Sequence, residues 1–273
     1  MSTLPRDGIE IFYTDHGGDG RPVVLVHGWP LSGESWAATV PVLLDAGYRV
    51  ITYDRRGFGA SGTTGADGYD YDLLTSDLAA LLDELDLTDV TLVGFSMGGG
   101  EVARYVGNHG QSRLHSVVFI AAIPPWLLLS DDNPDGGLDM ATARGMQEAL
   151  RADREGFLDG FLTTFFSVDG ALSVTEEQRQ QALTLAAQAD LDAAVACIVL
   201  WTSSFTDDVA RIEVPTLVIH GDGDAIVPFE VSGKRVHEQV AGSDLVLVEG
   251  GPHGVTVSHT DEVNRALLEF LAR

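Results

Sequence analysis

The sequence has one cysteine, Cys197, and one lysine, Lys234. A lone cysteine excludes an internal disulfide. With no histidine beside it in sequence, Cys197 reads as a small buried hydrophobe in a helix rather than a nucleophile. Residues 1–8 lack the apolar core of a signal peptide, and the longest apolar run, 117–129, carries Pro124 and Pro125 and is too short to span a bilayer. A cytoplasmic protein with no membrane partner is expected. Positive charge is also scarce: 16 Lys and Arg stand against 41 Asp and Glu, a net charge of -25. That balance disfavours nucleic acid and anionic lipid as partners. A salt-rich cytoplasm and a codon bias towards Arg, Ala, Gly and Asp explain it equally well. No repeat or low-complexity linker occurs.

What is present is enough apolar material, 45% of 273 residues, to fill one large α/β domain. Strand-like segments near 9–14, 23–27, 48–53, 90–95, 114–120, 215–220 and 244–248 alternate with helix-like ones near 33–46, 71–86, 97–109, 231–240 and 261–272. This alternation predicts a mostly parallel twisted sheet flanked by helices. Between residues 123 and 212 the strand signal vanishes and amphipathic segments take over at 140–150, 155–165, 175–189 and 191–202. The expected organisation is a core of residues 1–123 and 212–273, with residues 124–211 inserted as a helical cap.

The most informative stretch runs from Val90 to Tyr105, where a β-branched run breaks at Gly94-Phe95-Ser96-Met97-Gly98 and continues as a helix. G-x-S-x-G between a strand and a helix presents a serine hydroxyl at a sharp turn over a helix N-terminus. The bare spacing is weak, so its context has to supply a base, an acid and an oxyanion loop. His253, in Gly250-Gly251-Pro252-His253-Gly254 after the strand at 244–248, is the expected general base. His259 is the alternative, placed near the solvated start of the last helix. Asp222 and Asp224 follow the strand at 215–220; Asp224 is the expected orienting acid, because Asp222 falls in the tight turn where it caps backbone N–H groups. The strand at 114–120 is followed by Ala121-Ala122-Ile123, with no carboxylate to compete. An acyl-transfer oxyanion needs preorganised donors, and the N–H groups of Met97 and Trp29 are the candidates. His27 reads as a buried structural hydrogen-bonder. Pro30 fixes its own φ and restricts the peptide after Trp29, directly beside this candidate donor.

Gly57-Phe58-Gly59-Ala60-Ser61-Gly62 satisfies G-x-G-x-x-G, but loop rather than helix follows at 63–68, which argues against a dinucleotide site. No His or Cys pair stands at ligand spacing on one element, so neither metal nor cofactor is expected.

With these residues in hand, the chain resembles the cofactor-free haloperoxidase, perhydrolase and aryl esterase branch of the α/β-hydrolase family. The likeness is carried by His27-Gly28-Trp29-Pro30-Leu31, Tyr53-Asp54-Arg55-Arg56-Gly57-Phe58-Gly59-Ala60-Ser61, the elbow from Gly94 to Tyr105, His220-Gly221-Asp222-Gly223-Asp224 through Glu230, and Pro252-His253-Gly254. It implies an α/β-hydrolase fold, the triad Ser96, Asp224 and His253, and oxyanion donors Trp29 and Met97. It also implies ester hydrolysis through an acyl-serine, with peracid formation from a carboxylic acid and hydrogen peroxide and no cofactor. A serine at the elbow separates the chain from relatives of this fold that form alkyl-ester intermediates on an aspartate. Pro30, Phe95, Trp126, Phe161, Ile226 and Val227 are the expected pocket residues. Phe157, Phe161 and Phe165 recur every fourth position and would also pack the cap onto the core. An amidase or lactamase with the same triad, or a non-catalytic small-molecule-binding protein, are the rival readings. Oligomeric state, a homo-oligomer included, is left open.

The charge of -25 makes a prediction of its own. Raising salt from about 0.01 M to about 1 M shortens the screening length from roughly 30 Å to roughly 3 Å, so the melting temperature should climb across that range. A flat or falling melting temperature would favour codon bias.

Overall fold

In the computed structural model the described residues are 2–66 and 68–273; Met1, and Asp67 within the segment read as loop, lie outside them. The strands are β1 (Ser2–Arg6), β2 (Ile9–Asp15), β3 (Pro22–Val26), β4 (Arg49–Tyr53), β5 (Val90–Phe95), β6 (Leu114–Ile120), β7 (Ser167–Val168), β8 (Ala171–Leu172), β9 (Thr216–Gly221) and β10 (Asp244–Val248). The helices are α1 (Val40–Asp45), α2 (Tyr71–Glu84), α3 (Met97–His109), α4 (Met140–Ala152), α5 (Arg154–Phe165), α6 (Glu176–Ala186), α7 (Leu191–Leu200), α8 (Thr206–Val209), α9 (Gly233–Gln239), α10 (Val255–Ser258) and α11 (Thr260–Leu271). Among the described residues no single helix is long and apolar enough to cross a membrane.

An eight-stranded sheet in the order β1-β2-β4-β3-β5-β6-β9-β10 carries the fold. Its β4-β3-β5-β6-β9-β10 part is parallel, while β1/β2 and β2/β4 pair antiparallel. Helices cover both faces of a parallel sheet, so its central strands read as continuous apolar runs. β3 and β5 are accordingly buried almost throughout. The chain leaves β3 for β4 on one side and returns to β5 on the other, so a crevice opens beyond the carboxyl ends of β3 and β5. Open α/β sheets bind ligands at such a reversal.

The predicted strands all form, and the elements that sequence patterning missed are short or irregular. β1 has one buried residue, Leu4, and carries Pro5 on the sheet edge, where a missing N–H is tolerated. The single helix expected near 33–46 is a 3-10 turn at Gly33–Trp36 followed by α1. Pro41 stands in the first turn of α1, and without an N–H it cannot continue the earlier turn. The helix expected near 231–240 likewise starts at Gly233, after a 3-10 turn at Phe229–Val231.

Between β6 and β9 lie α4 to α8 and the β7–β8 hairpin. The aspartate-rich composition has a local use here. Asp139, Asp153 and Asp190 accept hydrogen bonds from first-turn N–H groups of α4, α5 and α7, and Asp70 does the same for α2. Each cap satisfies an orphan donor and sets a negative charge against the positive helix end.

Two arginines in the turn after β4 are buried, each against a buried carboxylate. Arg55 Nε donates to Glu101 Oε1 at 2.6 Å, and Arg56 Nε to Asp77 Oδ2 at 2.6 Å. Arg56 also pairs with Asp7, whose side chain is 57% exposed. Removing one partner of a buried pair strands the other charge, so Glu101→Ala should cost about 3–5 kcal/mol in urea unfolding. Asp7→Ala should cost at most about 1 kcal/mol, as exposed pairs do. Equal losses from the two variants would show that the Arg55–Glu101 pair contributes nothing special.

Candidate active site

Ser96 joins β5 to α3 with φ 54° and ψ -120°, a left-handed conformation that a non-glycine residue rarely holds. The flanking glycines make the bend possible. A Cβ on Gly94 would stand 2.6 Å from the Gly98 carbonyl oxygen, and one on Gly98 would stand 2.4 Å from that of Val26. The motif spacing therefore reflects three backbone segments packed closer than any side chain allows.

His253 lies in the loop between β10 and α10, and its Nε2 is 2.9 Å from Ser96 Oγ. Its Nδ1 is 2.7 Å from Asp224 Oδ2. A carboxylate only accepts, so Nδ1 carries the proton and the bare Nε2 faces the hydroxyl. Phe95 and Phe165 flank the imidazole at ring-centroid distances of 5.3 and 4.9 Å. Asp224 follows β9, and its Oδ1 accepts from the N–H groups of Ile226 and Val227 at 2.9 and 2.8 Å. Burial alone would push its carboxyl up. The charge of His253 and the hydrogen bonds from His220 and His253 outweigh that and hold it well below the usual carboxylate range. Asp222 caps instead, accepting from Gly250 N–H at 2.7 Å. His259 is half-buried and lies against Ser258 Oγ at 2.9 Å.

His220 is a member of the site that sequence reading passed over. Its Nε2 faces the Val227 carbonyl at 2.8 Å and Asp224 Oδ2 at 3.3 Å, so that nitrogen carries the proton and ties the acid to its own loop. Its place at the end of β9, four residues before Asp224, was the available signal.

Beside the serine, the loop after β3 lies against the elbow, and a Cβ on Gly28 would stand 3.1 Å from Ser96 Cβ. Trp29 and Met97 are buried, and neither N–H finds an acceptor among the described residues. Leu31 N–H to Gly28 O closes a turn around Trp29 and Pro30, whose peptide is cis. His27 is buried under this loop. Its Nε2 accepts from Arg55 N–H at 2.9 Å and its Nδ1 donates to the Gly28 carbonyl at 2.8 Å. Burial, reinforced by the Arg55 charge, pushes its pKa well down and keeps it neutral.

Ser96 opens into a cavity of about 240 Å³. Phe161, Ile226 and Val227 line it, as do Trp29, Ile123, Leu127, Leu138, Met146 and Trp201. The other expected pocket residues are not among its lining. Phe95 is buried behind the serine against His253, Pro30 is buried in its turn, and Trp126 Nε1 donates to the Thr202 carbonyl at 3.2 Å. Phe157 and Phe161 pack edge-on to Trp29, at 6.4 and 5.0 Å. A larger groove of about 720 Å³ lies elsewhere, between β2, β4 and α6, and contains no residue of the Ser96–His253–Asp224 chain. No group of three or more His, Cys, Asp or Glu among the described residues is placed to hold a metal ion.

Comparison with known proteins shows the family of the chain. Residues 21–259 match the family described as alpha/beta hydrolase fold. A non-heme chloroperoxidase from Kitasatospora aureofaciens is 43% identical over 97% of each chain. A bifunctional esterase/perhydrolase from Acinetobacter calcoaceticus is 36% identical over 97% of each chain. The crystal structure of a bromoperoxidase from Bacillus anthracis superposes with a TM-score of 0.94 at 51% identity, covering 97% of this chain and 96% of that one.

The lowered pKa of Asp224 links the site to stability. A carboxylate with a lowered folded pKa stabilises the fold above its unfolded value, about 3.9, and that contribution is lost as pH falls towards the folded value. Urea midpoints of the parent should therefore drop more steeply below about pH 4 than those of Asp224→Asn. Parallel acid limbs would show that Asp224 is not held ionised by its neighbours.

Proposed function

We propose that this chain, which belongs to the alpha/beta hydrolase fold family, is a serine hydrolase of small carboxylic esters that also accepts hydrogen peroxide in place of water. The observation that carries the reading is the unbroken hydrogen-bond chain from Ser96 through His253 to Asp224, opening on an apolar cavity of about 240 Å³. The relatives named chloroperoxidase and esterase/perhydrolase support the peroxide branch.

Each group has a role that follows from its position. His253 Nε2 takes the Ser96 proton as Oγ attacks the acyl carbon, and Asp224 holds the ring in the required tautomer and offsets its charge. The N–H groups of Trp29 and Met97 donate to the developing oxyanion, which is why donors without internal acceptors suit that spot. The imidazolium returns its proton to the leaving alcohol. His253 then deprotonates water, giving the acid, or hydrogen peroxide, giving the peracid; a carboxylic acid can enter by the same acyl-serine. Residues 124–211 act as a cap, because Phe161, Met146 and Trp201 come to the cavity from it. Cys197 stays outside the chemistry: it is buried, and burial pushes its thiol up to about 12. A reducing, cytoplasmic setting fits that lone thiol.

Because the triad acts as a unit, Ser96→Ala should lower kcat by on the order of 10³ to 10⁶ with the fold intact. A p-nitrophenyl ester should give a burst of p-nitrophenol matching the active protein, and peroxide with acetate should give peracetic acid. Parent-like turnover by a folded Ser96→Ala protein would remove the assignment.

A further inference from the structure

The wall of the Ser96 cavity contains one sulfur atom among its described lining residues, the thioether of Met146 on α4. The remaining walls are mainly aliphatic or aromatic. A peracid released from the acyl-serine enters a space of about 240 Å³ that Met146 helps to line. Thioethers are soft nucleophiles that accept one oxygen atom to become sulfoxides.

We infer that Met146 is a modification site of this enzyme, oxidised to the sulfoxide by the peracid formed at Ser96; the inference rests on the perhydrolase reading above. The sulfur lone pair attacks the outer peroxy oxygen. The S–O bond forms as the O–O bond breaks, and the peroxy proton passes to the departing carboxylate. Peracid and methionine thus give carboxylic acid and methionine sulfoxide, with the peracid reduced and the sulfur oxidised. No other oxidant is needed.

The chain supplies its own controls. Met140 lies on the same helix and is half-buried like Met146, yet it is not part of the cavity lining. Six residues at 3.6 per turn put the two on different faces of α4. Met97 is buried completely. An oxidant arriving from bulk solvent can reach both half-buried methionines, whereas one made at Ser96 meets Met146 first. The product would be self-limiting: a sulfoxide sets a strong dipole into an apolar wall, so substrate affinity should fall as turnovers accumulate. Methionine sulfoxide is reducible, which makes the change reversible.

The test is peptide mapping by mass spectrometry of the full-length enzyme, sampled during turnover of an acetate ester with hydrogen peroxide. Peracid is measured in the same aliquots by sulfoxidation of methyl p-tolyl sulfide. Parallel arms use the parent with peroxide alone, Ser96→Ala with ester and peroxide, and the parent with premade peracetic acid. The ratio of Met146 to Met140 oxidation should be several-fold higher during turnover than with premade peracid, and Met146 should stay largely unmodified in the two arms that make no peracid. Peracid formation with a ratio equal to that of the premade arm would overturn the inference while leaving the perhydrolase reading in place. Equal Met146 oxidation with peroxide alone would overturn it too. Ester hydrolysis without any peracid would remove the perhydrolase reading, and the inference with it.

Discussion

The backbone of Ser96 is the constraint on which the other features depend. Its left-handed conformation costs about 1–3 kcal/mol, and such strain persists only where neighbours over-determine it. Here they do. Ser96 N–H donates to the Ile120 carbonyl, and the Ser96 carbonyl accepts from both Gly99 and Ile123. The strained residue is thus pinned to β6, to α3 and to the loop after β6 at once. Gly94 and Gly98 let β5, α3 and the end of β3 close to distances that exclude any Cβ. One hydroxyl is thereby held at the crevice where strand order reverses, and every other group in the site is arranged around it.

Polar interior groups secure that arrangement from below. Arg55 donates to Glu101 on α3 and to the His27 carbonyl, while its own N–H is taken by His27 Nε2. The loop after β3, the turn after β4 and α3 are in this way joined by one buried cation. Burial pushes Glu101 up and the Arg55 charge pulls it back, so the pair serves less as a source of net stability than as a device that has one satisfactory geometry. Asp224 follows the same logic at the far side. His253, His220 and the N–H groups of Ile226 and Val227 all donate to it, so both the acid and the cavity wall that follows it have one place to stand.

The cavity sets scale and character. It is small, and most of its lining is aliphatic or aromatic, with Trp29, Phe161 and Trp201 packed edge-on or tilted to one another at 5.0 to 6.3 Å. Such a wall is complementary in size and polarity to a compact apolar group. It also explains why the every-fourth phenylalanines of α5 have two uses. Phe157 and Phe161 meet Trp29 of the loop after β3, and Phe165 meets Phe95 and His253. Phe161 both packs α5 against Trp29 and lines the cavity, so at that residue packing and pocket wall are one set of contacts.

Local chemistry made much of this legible in one dimension. The parallel strands are continuous apolar runs, the elbow needs glycine at set positions, and a strand end followed by Asp-Gly-Asp or by Gly-Pro-His-Gly leaves few places for an acid and a base. Short-range rules therefore sufficed for the sheet and for singling out Ser96, His253 and Asp224, three side chains that the fold brings within hydrogen-bond distance of one another. They did not suffice where the deciding partner is remote. Whether Pro30, Phe95 and Trp126 face the cavity depends on how residues 124–211 settle over the crevice, and none of that packing has a local signature. The same holds for His220, whose role exists only because Val227 turns back towards it, and for Met146, which differs from Met140 solely in the face of α4 that meets the cavity. Amphipathic periodicity announces that a helix has an inner face. What that face meets is decided by three-dimensional packing, because the contacting residues are brought together from segments far apart in the chain.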